Sequence, residues 1–144
     1  MIRRIVYATD FSKASRKALA KALELARANR ATLQIVHVLN PAVPMVGDGY
    51  ISPTAYEQLE RSSREWAQKT LAGLVAKARA AGVKAEGKVL EGVPHEQIVR
   101  ASRRADLVVL GTHGRTGVAR FFLGSVAGRV ASSAKVPVLT VRGG

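Results

Sequence analysis

Cysteine is absent from the 144 residues, which excludes disulfides, thiolate catalysis and sulfur-based metal sites. Aromatic residues make up only 5% of the chain, too few and too scattered for the stacking platforms of a nucleic-acid-binding module. No uninterrupted apolar run is long enough to cross a bilayer. The first residues enter a strand pattern directly, without a signal-peptide h-region. The expectation is a cytoplasmic protein with no membrane partner. Several catalytic signatures are missing as well. No Gly-Lys-Ser/Thr follows a strand, no GxGxxG is present, and there is no GxSxG elbow or Ser-His-Asp arrangement. The three histidines, at 37, 95 and 113, lack metal-ligand spacing, so protein side chains alone are not expected to hold a metal. His37 lies in a strand pattern and reads as a packed core residue.

Carboxylates are scarce too. Ten Asp and Glu face 23 Lys and Arg, for a formal net charge of +13. That excess raises the question of nucleic acid, but the basic residues are spread through both halves rather than gathered in a tail. A more local asymmetry carries information. After Asp106 no carboxylate occurs to the end of the chain, while Arg115, Arg120, Arg129, Lys135 and Arg142 all lie there. Nucleic acid is therefore not the expected partner; a small anion bound by this segment is.

What is present suits one compact domain over residues 1–144. The chain is 15.3 kDa and 47% hydrophobic, enough for a single core and too small for two. Strand patterns occur at Arg3–Ala8, Thr32–Val38, Lys84–Glu91, Leu107–Leu110 and Val136–Arg142, several of them rich in Val, Ile and Leu. Helical periodicity separates them. Ala14–Ala28 aligns Ala18, Ala22, Leu25 and Ala26, and Thr54–Ala80 aligns Leu59, Trp66, Leu71, Leu74, Val75 and Ala78. Pro94–Arg103 begins with a proline suited to a first helical turn, and Ser125–Ala134 closes the series. This βαβαβαβαβ order predicts an α/β fold, a doubly wound five-stranded parallel sheet with helices on both faces. Asn40–Ser52, with prolines at 41 and 44 and glycines at 47 and 49, reads as a loop at the ligand-binding end.

The strongest local signal is GTHGRTGVARFFLGS, Gly111 to Ser125. It follows an apolar strand and precedes a helical pattern. Glycines allow close backbone approach to an anion, and the unpaired first-turn N–H groups of a helix attract phosphate. Ser125 is expected to cap that helix or reach a phosphate oxygen. His113 and Arg115, inside the loop, are further phosphate candidates. Asp10 ends the first strand and reads either as a helix cap or as a polar contact to a nucleoside or to phosphate-bound magnesium.

Gly111, two residues, Gly114, nine residues and Gly124-Ser125 resemble the nucleotide-binding pattern of the universal stress protein family, in its ATP-binding branch. Arg4-Ile5-Val6-Tyr7-Ala8-Thr9-Asp10, Glu91-Gly92-Val93-Pro94 and Val136-Pro137-Val138-Leu139-Thr140-Val141 resemble its other landmarks in the same order. The resemblance implies a Rossmann-like strand order 3-2-1-4-5, whose direction reverses between strands 1 and 4. Ligands of such sheets sit at the carboxyl ends there, where Asp10 and Gly111 fall. It further implies that Thr9 and Asp10 line the nucleoside pocket, that backbone groups of Val38 meet the adenine edge, and that ATP binds with Mg. It also implies a homodimer through the C-terminal strand Val136–Val141, which as an apolar sheet edge needs a cover.

The loop offers cations and backbone dipoles but no carboxylate, whereas fast hydrolysis needs a group to activate water. The function expected is a nucleotide-dependent stress-response or regulatory protein with at most slow ATP hydrolysis and no catalytic residues of its own. The alternatives are a weak ATPase or nucleotidyl-transfer enzyme of the same fold, and, further off, a basic nucleic-acid-binding module.

Overall fold

The computed structural model describes residues 1–40, 45–46, 49–50, 52–112 and 118–143. Five parallel strands form the main sheet: β1 (Arg4–Ala8), β2 (Thr32–Leu39), β5 (Lys84–Glu91), β6 (Leu107–Thr112) and β7 (Val138–Arg142). Their spatial order is β5-β2-β1-β6-β7. Counted along the main sheet this is 3-2-1-4-5, the expected order, and all four pairings are parallel. The expected loop Asn40–Ser52 contains a short antiparallel pair not anticipated from sequence, β3 (Met45–Val46) with β4 (Gly49–Tyr50). Among the described residues there are four helices: α1 (Lys13–Asn29), α2 (Pro53–Ala80), α3 (Pro94–Ser102) and α4 (Val118–Ser133).

Side-chain alternation along the strands divides the core in two. Ile5, Tyr7, Leu33, Ile35 and Val109 face α1 and α2. Val6, Ala8, Val36, Val108 and Leu110 face α3 and α4. β1 and β6 are buried on both faces, which is why they read as unbroken apolar runs. The α1 stripe holds as expected at Ala18, Ala22 and Ala26, all buried, with Leu25 half-buried. In α2 the expected stripe holds only in its second half. Leu71, Val75 and Ala78 are buried, but Leu59 and Trp66 are 53% and 59% exposed. The reason is length. Twenty-eight helical residues span roughly 42 Å, whereas an eight-residue strand spans about 26 Å, so one end of α2 has no sheet beneath it.

One boundary differs in a way that bears on function. α4 begins at Val118, not at Ser125, so Gly124 and Ser125 lie in its second turn rather than at its N-terminus. Val118-Ala119-Arg120-Phe121-Phe122-Leu123 is itself a fair helix former; the glycines around it had suggested loop.

A candidate nucleotide site

β1 ends in a turn built by consecutive side-chain-to-backbone hydrogen bonds. The Phe11 N–H donates to Thr9 Oγ1 at 2.9 Å and the Ser12 N–H to Asp10 Oδ1 at 2.9 Å. The Ser15 N–H donates to Ser12 Oγ at 3.3 Å, making Ser12 the N-cap of α1. Asp10 is therefore not the cap itself but the residue that positions it. Phe11 adopts φ +66°, an unfavourable conformation for a bulky residue, costing on the order of 1 kcal/mol or more. Its ring stacks on His37 with centroids 4.2 Å apart and meets the edge of Trp66 at 5.3 Å.

Beneath the turn lies a buried polar network. Tyr7 Oη donates to the Ser15 carbonyl at 2.5 Å and lies 2.9 Å from Ser15 Oγ, which donates to Thr9 Oγ1 at 2.6 Å. Burial pushes the Tyr7 phenol above its ordinary value. The hydrogen bonds to Ser15 and Thr9 oppose that shift, and the negative charge of Asp10 adds to it. Thr9 is thus held from inside the fold, and Asp10, next along, is left at the surface.

A cavity of about 310 Å³ opens at the carboxyl ends of β1 and β6, the point where strand order reverses. Thr9, Asp10, Val38 and Gly111 of the expected set all line it. His37 lines it too, as do Pro94 and Ile98 of α3 and Val126 and Ala127 of α4. Asp10 is the one carboxylate among the described lining residues. The walls are otherwise mostly apolar, with a few polar groups at one end, the usual makeup of a small-molecule site. Gly124 and Ser125 directly precede Val126 in α4. His113, Gly114 and Arg115 lie outside the described residues. Among the described residues no group of three or more His, Asp or Glu converges on a metal.

Gly111 has a second reason to be glycine. A Cβ there would lie 2.7 Å from the Ala14 carbonyl oxygen and 3.1 Å from Ser15 N, so α1 packs directly onto the end of β6. His37, expected in the core, sits instead at the cavity wall. Its Nδ1 is 2.8 Å from the Thr9 carbonyl oxygen; a carbonyl only accepts, so Nδ1 carries the proton. Sequence reasoning missed this residue and Phe11. Position 37, two before the end of the apolar run in β2, was the available signal.

The family model described as the universal stress protein family matches residues 1–142. Universal stress protein MJ0531 of Methanocaldococcus jannaschii is 35% identical, over 99% of this chain and 83% of its own length. Among solved structures, a universal stress protein in complex with cAMP is 27% identical with a TM-score of 0.75, covering 99% of this chain and 98% of that one. The universal stress protein from Archaeoglobus fulgidus in complex with dAMP is 26% identical with a TM-score of 0.65, covering 98% of each.

Proposed function

Since this chain belongs to the universal stress protein family, we propose that its switch-point cavity holds an adenine nucleotide, ATP with magnesium, as a regulatory ligand rather than a rapidly consumed substrate. The observation that carries the reading is the convergence of Thr9, Asp10, Val38 and Gly111 on one cavity, with the cation-rich, carboxylate-free segment after Asp106 alongside. The nucleoside fits the apolar wall formed by Val38, Pro94 and Ile98. Asp10 would contact the ribose or a phosphate-bound magnesium. The phosphates would run toward Gly111, Gly114, Gly124 and Ser125, with His113 and Arg115 in reach of their charge. Relatives solved with cAMP and with dAMP support adenine as the base. ATP is favoured over a monophosphate because the glycine pattern continues well past Gly111 and its surroundings are wholly positive.

Native mass spectrometry of the purified protein, followed by calorimetry with ATP and AMP, tests the proposal. Gly114→Val combined with Gly124→Val should abolish ATP binding in a folded protein, because side chains would block the phosphate path. Unchanged ATP affinity in that variant would refute the site. Hydrolysis should be slow, far below the ~1–10³ s⁻¹ typical of dedicated enzymes, because Asp10 is the only carboxylate at the described cavity wall and is committed to the turn. Turnover in the usual range, lost in Asp10→Asn, would instead assign Asp10 to catalysis. We place the protein in the cytoplasm, where such a nucleotide is available.

A further inference from the structure

The sheet face opposite α1 and α2 is only partly covered. α3 has nine residues and spans roughly 14 Å, about half the length of the eight-residue strands β2 and β5 that run past it. Beside it lies a groove of about 690 Å³, more than twice the volume of the switch-point cavity and lined by different residues except for Val36. Its floor carries Gln34 of β2 with Glu86 beside it on β5, at a position that a fully covered parallel sheet would fill with aliphatic side chains. Neither Gln34 nor Gln97 of α3 makes a side-chain hydrogen bond with any described residue.

Five cations converge there from separate elements: Arg4 at the start of β1, Lys88 of β5, Arg100 of α3, and Arg103 and Arg104 just after it. Glu86 is the one carboxylate in the lining. The ratio of five to one is about twice the 23 to 10 of the whole chain, so a generally basic surface does not account for it. None of the five is ion-paired with a described carboxylate. Asp106, nearest in sequence, is occupied instead by the N–H groups of Arg3 and Arg4, at 2.8 and 3.0 Å.

The geometry points to a second anion site in this groove, for a small oligophosphate-bearing molecule, separate from the switch-point cavity and independent of what that cavity binds. Guanidinium forks match phosphate oxygens two at a time. Gln34 and Gln97 supply further donors. A concave volume of this size fits a small ligand, while a duplex backbone seeks a protruding or extended basic surface, which favours the small anion over nucleic acid. Leu90, half-buried in the lining, offers an apolar contact to a group attached to the phosphates.

Inorganic tripolyphosphate is the probe for the shared chemistry, read by amide shifts of the full isotopically labelled chain saturated with AMP, whose single phosphate leaves the groove open to the probe. Saturable shifts at Arg4, Gln34, Lys88 and Arg100 are expected, with the side-chain amides of Gln34 and Gln97 moving as well. Arg100→Glu with Arg104→Glu should weaken binding by about tenfold or more, and Lys88→Glu should weaken it independently. Both variants should keep AMP affinity and the wild-type circular dichroism. A nucleoside triphosphate with a non-adenine base, used in place of tripolyphosphate, separates the sources. Tighter binding with an added shift at Leu90 identifies a base-bearing ligand, and equal binding identifies the free oligophosphate. Groove amides unmoved by either probe would overturn the site. So would wild-type affinity in both variants, or binding of mixed-sequence duplex DNA while tripolyphosphate leaves the groove unshifted.

Discussion

A β-carbon at Gly111 would meet the Ala14 backbone at 2.7 Å, and one at Gly143 would overlap Ala14 Cβ. Both glycines let the start of α1 sit against the ends of β6 and β7. Gly111→Ala should therefore destabilise the fold by about 1–3 kcal/mol, measured by urea unfolding, and should weaken nucleotide binding as the cavity wall shifts. Gly143→Ala should also destabilise, because the Gly143 N–H is tied to the Thr112 carbonyl at 2.7 Å and holds the residue against Ala14. Equal stability of Gly111→Ala and wild type would show that α1 yields freely. Asp106 yields a pH-dependent prediction. Hydrogen bonds from the N–H groups of Arg3 and Arg4 hold its carboxyl below the ordinary 3.8. The folded state therefore binds that proton less readily than the unfolded chain. Its stabilising contribution is complete above pH 3.8 and is lost as pH falls through the lower folded value. Asp106→Asn should lower the thermal midpoint near neutrality, and the gap to wild type should close progressively in acid below about pH 4. A gap that persists undiminished at pH 2 would contradict this.

At the scale of elements, the aromatic chain Phe11–His37–Trp66 joins the turn after β1, the end of β2 and the overhanging half of α2. α2 is also tied to β5 by the ion pair of Arg64 with Glu91. That pair is partly exposed and contributes little alone. Trp66 is the only tryptophan and is half exposed, so its emission reports on this junction. Titration with an adenine nucleotide should produce a saturable change in Trp66 emission, because His37 lines the cavity and Phe11 transmits its position. Phe11→Ala should remove most of that change. Silence of the tryptophan at saturating nucleotide, with binding confirmed by calorimetry, would show that the junction does not sense the site.

Across the whole molecule the two edges of the sheet are guarded differently. β5 carries Lys84, Glu86, Lys88 and Glu91, and charges on an edge discourage pairing with another strand. β7 carries only Arg142 within Val138–Arg142, and β6 is its single partner in the sheet. Half-buried Val138 and Val141 leave apolar surface that a second copy of the same strand could cover about a two-fold axis. A homodimer of twice 15.3 kDa is expected by light scattering, becoming monomeric in Val138→Lys with Val141→Lys. A concentration-independent mass near that of one chain, or a dimer that survives both lysines, would refute this interface.

The chain by itself determined the five main strands, four helices and parallel order, because buried β-branched runs and amphipathic helices are short-range patterns and right-handed crossovers leave few topologies. It also singled out Asp10 and Gly111, whose strand ends become neighbours once that topology is accepted, whereas Thr9 and Val38 came only from the family resemblance. The start of α4 was not legible: glycine spacing suggested a loop where Val118 to Leu123 form helix, and local propensity could support either reading. Only the tertiary structure decided the rest. Asp106 meets Arg3 and Arg4 across more than a hundred residues. Gly143 matters only because Ala14 lies against it, and His37 meets the Thr9 carbonyl at the cavity wall only once β1 and β2 pair. The cations of the groove gather because a nine-residue helix is too short to cover the strands beside it. Such juxtapositions depend on which elements become neighbours and how far each reaches, and one-dimensional spacing carries neither.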